Sequence, residues 1–397
     1  MPQSSTSPIY DLLLHGGTLY DPANGINGQK LDVAVSGNVI AAVEPNISPS
    51  LARKTADVAG MIVTPGLIDL HAHFYGYFGA VQPDPLCLST CVTTAVDAGG
   101  SGHLTFDHFN ETVISRATTR VFALLNIAGE GMVGEPEQDI EGMSTELSAK
   151  KIAQRPDLIV GVKVAHYAGP GWEPLDRGVQ AAKETGTFVM VDQTPYASRP
   201  MDEMVLKHLR AGDIVTHCYA VSKPMTDPAD KVRPYFFKAR DRGVLFDVGH
   251  GAGSFSWRIA QAAIDQGFPP DTISTDLHRH SYLTNQATMP ETMSKLLVCG
   301  IPLADVIEMS TWRPAQKIGH PELGTLSVAG IADVAVLRPT EGEVGFTDNG
   351  SSGNRVRRGG PRLEPEITIK GGRVEWDRNG TTRDGWEYTV TQDGRLP

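Results

Sequence analysis

From Gly66 to about Gly330 the chain alternates short, β-branched apolar runs with longer helical patterns, the signature of repeated βα units. Eight such runs are legible, at 67–74, 92–98, 121–127, 159–165, 188–192, 214–219, 244–248 and 273–276, with helical stretches such as 106–117 and 174–185 between them. Eight strands spread over about 265 residues match a (β/α)8 TIM-type barrel, typically about 250 residues long, better than a five- or six-stranded doubly wound sheet. The flanks read differently. Residues 9–64 and 331–390 are glycine-punctuated and rich in short alternating strands (11–15, 32–36, 333–337, 367–370), with no helix expected. Neither flank alone can bury a core, so both termini are expected to join into one small β-sandwich, with segments 1–64 and 331–397 enclosing an α/β barrel over 65–330. The Gly-, Asn- and Arg-rich stretch 345–362 is expected to be a mobile surface loop.

Composition narrows the function. Among 397 residues, 35 Lys and Arg face 46 Asp and Glu, a net charge of −11, and no basic run is long enough to track a phosphate backbone. A small-molecule substrate is therefore expected, not nucleic acid. Hydrophobic residues at 40% and charged residues at 20% suit a soluble globular protein. No stretch approaches the roughly 18 uncharged apolar residues of a membrane span. The start, MPQSSTSPIYD, lacks a basic segment followed by an apolar one, so a cytoplasmic location is expected, with a homo-oligomeric assembly. Four scattered cysteines (Cys87, Cys91, Cys218, Cys299) form no disulfide framework; Cys87 and Cys91 are expected on one helix face in a packing role.

The strongest local signal is Val63-Thr-Pro-Gly-Leu-Ile-Asp-Leu-His71-Ala-His73, two histidines two apart at the end of an expected strand. Strand alternation puts both imidazoles on one face, which at the carboxyl end of a barrel strand is the active-site mouth, a geometry that suits a metal ion. Lys163 lies within the apolar run Ile-Val-Gly-Val-Lys-Val, where an ionised ammonium is costly and the group should be neutral or paired. His217 ends the sixth run and Asp276 the eighth. Each has a bland alternative: a snorkelling lysine, a core histidine, a helix N-cap. Their joint placement at strand ends favours a metal centre. Tyr75 and Tyr77 follow the histidine pair, and His278, Arg279 and His280 follow Asp276, as candidate pocket residues; His15, His103, His108, His166, His208 and His320 are assigned to structure or solvent. No P-loop and no GxSxG elbow occurs, which removes nucleotide binding and serine-hydrolase chemistry.

With these residues in place the chain resembles the amidohydrolase superfamily of metal-dependent hydrolases, in its deacetylase and dihydroorotase-like branch. The resemblance covers nearly the whole chain, including Thr311-Trp-Arg-Pro-Ala315 and the stretch from Gly324-Thr-Leu to Gly330-Ile-Ala-Asp333. It implies two divalent metal ions, Zn2+ first and Mn2+ second, with His71, His73 and Asp276 on one, His217 on the other, and Lys163 bridging them as a CO2-derived carboxylate. It also implies hydrolysis of an amide or ester bond of a small acylated substrate by a metal-bridging hydroxide, with Asp276 as the catalytic proton carrier. The glycine-rich segment around His250 resembles one found in a deacetylase subgroup, which makes His250 a candidate substrate contact beside His278, Arg279 and Tyr75.

Two positions depart from the family pattern. Dihydroorotases carry an arginine where this chain has Tyr75, which disfavours pyrimidine-ring hydrolysis. The family commonly ends its fifth strand with a histidine, whereas this chain has Asp192. Asp192 remains a possible ligand, but with carboxylated Lys163, Asp276 and a bridging hydroxide it neutralises two divalent ions, where a histidine would leave the centre cationic. The expectation is a less Lewis-acidic site that tolerates harder ions, or a weakly held second metal. Alternative readings are a cyclic amide or lactone hydrolase and a non-catalytic scaffold with the same fold.

Overall fold

The computed structural model describes residues 8–192, 198–223, 225–348 and 355–384. Seven parallel strands succeed one another in chain order: β1 (Leu67–Ala72), β2 (Val92–Gly102), β3 (Arg120–Asn126), β4 (Ile159–Ala165), β5 (Phe188–Asp192), β6 (Ile214–Val215) and β7 (Leu245–Phe246). Residues 272–277 link the two edges of this sheet. On one side the amides of His250 and Gly251 donate to the carbonyls of Ser274 and Thr275; on the other, the Leu277 amide donates to the His71 carbonyl and the His73 amide to that of Leu277. This mixed α/β arrangement, a curled parallel sheet with both edges tied to one segment, fits a TIM-like barrel.

The eighth expected strand is thus an extended connecting segment with single bridges, and the sixth and seventh are two-residue ladders rather than the longer runs at 214–219 and 244–248. The physical cause lies at their ends. His217 (φ 59°), Gly249 (φ 48°) and Asp276 (φ 49°) turn left-handed and end the extended backbone where the site begins.

Packing decides which way each strand faces. Ile68, Leu70, Phe122, Leu124, Met190 and Ile214 gather in one apolar cluster. Intervening residues, among them Val121, Val162, Val164 and Val191, join a larger cluster with helical Phe106, Leu175 and Ala182. All seven residues of β4 are buried. Each buried aliphatic side chain contributes roughly 1.5–3 kcal/mol, so a one-residue slip of β4, which would drive Lys163 into the helix layer, is strongly opposed.

The flanks form two sheets. Tyr10–His15, Asp32–Ser36, Val39–Glu44 and Ala52–Asp57 make a four-stranded sheet. In the six-stranded sheet, N-terminal Ile62–Pro65 pairs antiparallel with C-terminal Val334–Thr340. Val33, Val35 and Ile40 of the first sheet share one apolar cluster with Val63, Val334 and Ile367 of the second. Positions 1–7 and 385–397 of the expected flanks lie outside the described residues.

Two local expectations are corrected. The stretch 345–362 contains a β-hairpin, Val344–Asp348 against Arg355–Gly359, anchored by fully buried Phe346 and by the Lys295 ammonium, which donates to the Thr347 carbonyl at 2.8 Å. Its glycine and arginine content concealed the alternating Val344 and Phe346; residues 349–354 lie outside the described residues. Cys87 and Cys91 do not share a helix face. Cys87 ends the helix Pro83–Cys87, and Cys91 follows a further 3-10 turn at φ 64°. Both are buried, and all four cysteines are free thiols. Among the described residues no helix is long and apolar enough to cross a membrane.

Candidate metal centre

β1 brings His71 and His73 to the carboxyl end of the sheet through a register break with β2 between Asp69 and Ala72. The Asp69 carboxylate accepts the amides of His71 (3.2 Å) and Thr275 (3.0 Å), which ties this bend to the segment carrying Asp276. The result is close convergence. His73 Nε2 lies 2.9 Å and His71 Nε2 3.6 Å from Asp276 Oδ1. β4 adds Lys163, fully buried, with Nζ 3.0 Å from His71 Nε2 and 3.6 Å from Asp192 Oδ2. His217 Nε2 stands 3.0 Å from the same Asp192 oxygen. Donor atoms of His71, His217 and Asp276 all lie within 4.8 Å of one another.

The surrounding hydrogen bonds assign the protons. Thr216 Oγ1 donates to Asp247 Oδ2 (2.8 Å), so it accepts from His71 Nδ1 (2.9 Å). The Nε2 lone pair of His71 therefore points into the cluster, and burial, with Lys163 nearby, holds that ring well below its usual pKa and neutral. Likewise His217 Nδ1 donates to the Gly249 carbonyl at 2.6 Å, which leaves Nε2 as the atom turned to the Asp192 carboxylate. Burial lowers Lys163 toward the neutral amine, against the pull of Asp192 and Asp276. Burial raises Asp192, but His217, Lys223 and Lys163 outweigh it and hold the carboxyl well below the ordinary range. Two imidazole nitrogens and the Lys163 nitrogen thus face two carboxylates. Imidazole nitrogens and carboxylate oxygens gathered this closely are the ligand types of divalent metal ions, so the residues present fit such ions.

Glycines shape one wall. A Cβ at Gly249 (φ 48°) would stand 2.2 Å from Thr216 Oγ1, and one at Gly251 (φ 56°) would stand 2.5 Å from Asp276 Oδ2. Thr216 is the support for His71, and this gives a test. Thr216→Val keeps the shape but removes the acceptor for Nδ1–H, and is expected to weaken metal binding roughly 10–100-fold with little change in the folded metal-free protein. Competition with a metal chelator measures it; unchanged affinity would reject the tautomer assignment.

The four candidate substrate contacts fare differently. His278 is buried beside the cluster. Its Nδ1 accepts the amides of His280 and Ser281, so Nε2 carries the proton and points at Asp276 Oδ2, 3.9 Å away. His250 is fully buried with both ring nitrogens occupied, Nδ1 on the Gly251 carbonyl (3.0 Å) and Nε2 on the Lys295 ammonium (2.7 Å). Both nitrogens thus bond within the protein, and the ring supports the glycine turn. The Tyr75 hydroxyl bonds His108 Nδ1 (2.8 Å) and its ring packs on Phe109. Tyr77 takes the place beside the cluster, its ring 4.9 Å from His73 and 5.4 Å from His278. Arg279 is exposed, and its amide donates to the Gly79 carbonyl at the mouth.

Further residues at the site were assigned elsewhere from sequence or not singled out. His166, at φ 58°, bonds buried Glu137 through Nδ1 (3.1 Å) and brings Nε2 to 3.8 Å from Asp192 Oδ2. It borders a cleft with Tyr77, Phe78, Met132 and Val133. Its position three residues after Lys163 was the only available signal. Lys223, six residues past His217, reaches Asp192 Oδ1 at 3.0 Å, and no periodicity marks it.

Comparisons with known proteins bear on the family. No protein-family model matches the chain. A deacetylase of Enterococcus faecalis is 30% identical over 384 residues, covering 92% of this chain and 99% of that protein. A crystal structure described as an adenine deaminase superposes with a TM-score of 0.84 at 30% identity, covering 93% of this chain and all of that one. Another, described as a dihydroorotase, gives 0.81 at 30% identity over 91% of this chain and 97% of its own. The chain belongs to the amidohydrolase superfamily and is an enzyme of that metal-dependent class. The three relatives carry three different reaction names, so fold and family leave the substrate to the site.

Proposed function

We propose that this protein hydrolyses the amide or ester bond of a small acylated substrate, a deacetylase-type reaction, at a two-ion centre built on His71, His73, Lys163, Asp192, His217 and Asp276. One observation carries the reading: the Nε2 atoms of His71 and His217, the Lys163 nitrogen and the Asp276 and Asp192 carboxylates converge on one buried spot. Zn2+, or Mn2+ in its place, supplies water that ionises near neutral pH and a Lewis acid for the scissile carbonyl. The neutral Lys163 amine is the form that adds to CO2, releasing a proton and becoming a carboxylate able to join the two ion positions. Asp276, held ionised by His73 against the effect of burial, accepts the proton released on attack and returns it to the leaving nitrogen or oxygen. His278 offers its Nε2–H to the substrate on the same side. Phe78, Met132 and Val133 give the cleft an apolar wall suited to a non-polar acyl group or side chain. The two flank sheets are read as one β-sandwich domain beside a barrel domain over 65–330.

The test is a substrate panel on protein reconstituted with Zn2+ or Mn2+ and bicarbonate. Acyclic acetyl esters and amides are expected to turn over, with lactones, cyclic amides and adenine inert. Turnover of ring substrates with acyclic acetyl compounds inert would replace this reading by ring hydrolysis, and release of ammonia from adenine would replace it by deamination.

A further inference from the structure

Aspartate at the end of β5 is accompanied by a buried cation. Lys223 is 2% exposed, and its ammonium donates to Asp192 Oδ1 at 3.0 Å and to the Thr216 carbonyl at 3.1 Å. The loop after β6 makes this possible: the Lys223 amide donates to the Ala220 carbonyl, and this turn folds the lysine back over the strand end. The two carboxylate oxygens therefore have separate surroundings. Oδ1 belongs to Lys223, while Oδ2 is turned to His217 Nε2 and Lys163 Nζ, into the cluster.

We infer that Lys223 is a positioning residue for the second metal ion: it occupies one oxygen of Asp192, presents the other as a single-atom ligand, and restores the positive charge that aspartate in place of histidine removes. The inference rests on the metal-dependent reading above. A carboxylate and an ammonium in contact carry together the charge of one neutral imidazole, so the pair Asp192–Lys223 is electrostatically equivalent to the histidine expected there. The expected loss of Lewis acidity is thereby offset. An ammonium this deeply buried is tolerated because it is paired and hydrogen-bonded, and its hold on the outer oxygen orients the inner one as outer partners of metal ligands commonly do. Lys223 does not itself fill the second ion's place, because it lies on the oxygen turned away from His217 and Lys163.

The test compares wild type, Lys223→Met, Asp192→His and the double variant Asp192→His/Lys223→Met, each stripped of metal and reconstituted with Zn2+ and bicarbonate. Elemental analysis gives ions per chain, and chelator competition gives the affinity of each ion. Thermal melting of the metal-free proteins controls for folding. About two ions are expected in wild type. In Lys223→Met the first ion is expected to stay and the second to bind roughly 10–100-fold more weakly, with the double variant regaining it. Unchanged second-ion affinity in Lys223→Met would overturn the proposal. So would tighter binding there, which would make Lys223 a substitute for the ion, and so would failure of the double variant to recover. If neither wild type nor the double variant binds any ion, the metal-dependent reading falls as well, a result distinct from two ions held equally in all four proteins.

Discussion

Replacing Asp276 by asparagine is expected to lower turnover by roughly 10²–10⁴-fold, the span attributed to a positioned general acid–base, while leaving the fold intact. Asparagine keeps the volume of the side chain and an oxygen that can face His73 Nε2, 2.9 Å away in the native protein, so the close packing beside Gly251 survives. What it loses is the charge and the capacity to take up a proton. Burial raises the carboxyl of Asp276, but His73, His217 and His278 together hold it below its ordinary range, so it is ionised throughout the neutral region. Raising the pH therefore cannot rescue the variant. Initial rates on the acyl substrate, with circular dichroism as a folding control, decide the matter. Near-normal turnover would remove Asp276 from its assigned role.

Lys163 is expected to give the second large effect. Lys163→Ala should lose metal and turnover by more than the roughly 100-fold typical of an outer partner, because it deletes a ligand rather than a supporter. A short carboxylic acid such as propionate, entering the space left by the side chain, should restore part of the activity. Lys163→Met should be just as inactive, yet in metal-free form it should stay folded with stability near that of wild type, since an apolar side chain of similar length fills the space of the buried lysine. Asp192 is not stranded by this change, because Lys223 and His217 still hold it. Denaturant unfolding of the metal-free proteins, and the mass added by CO2 to wild type but not to Lys163→Met, check both arms. A carboxyl-free wild type that binds two ions and turns over would reject the bridging role.

Most of the frame was legible because it rests on local chemistry. The β-branched runs at 67–74, 159–165 and 188–192 became β1, β4 and β5 with edges at or near those expected, since strands buried on both faces leave a continuous apolar record. The ladders at 214–219 and 244–248 shrank because left-handed residues at His217 and Gly249 end them, and backbone sign is not written in residue type except at glycine. Among the candidate contacts, Tyr75 and Tyr77 were indistinguishable in the sequence. Only His108 and Phe109 on a neighbouring helix draw the first away, while His73 and His278 receive the second.

His71, His73, Lys163, His217 and Asp276 stood out from the chain alone because each is an ionisable or metal-binding group within or at the end of an apolar run, where burial without a purpose is costly. Which of their atoms face one another is a tertiary matter. The proton on His71 is set by Thr216 and Asp247, that on His217 by the Gly249 carbonyl, and the charge beside Asp192 by Lys223, 31 residues further on. Local periodicity records which side chains are buried; electrostatic balance depends on distances between segments remote in sequence, and those exist only once the strands have closed around the site.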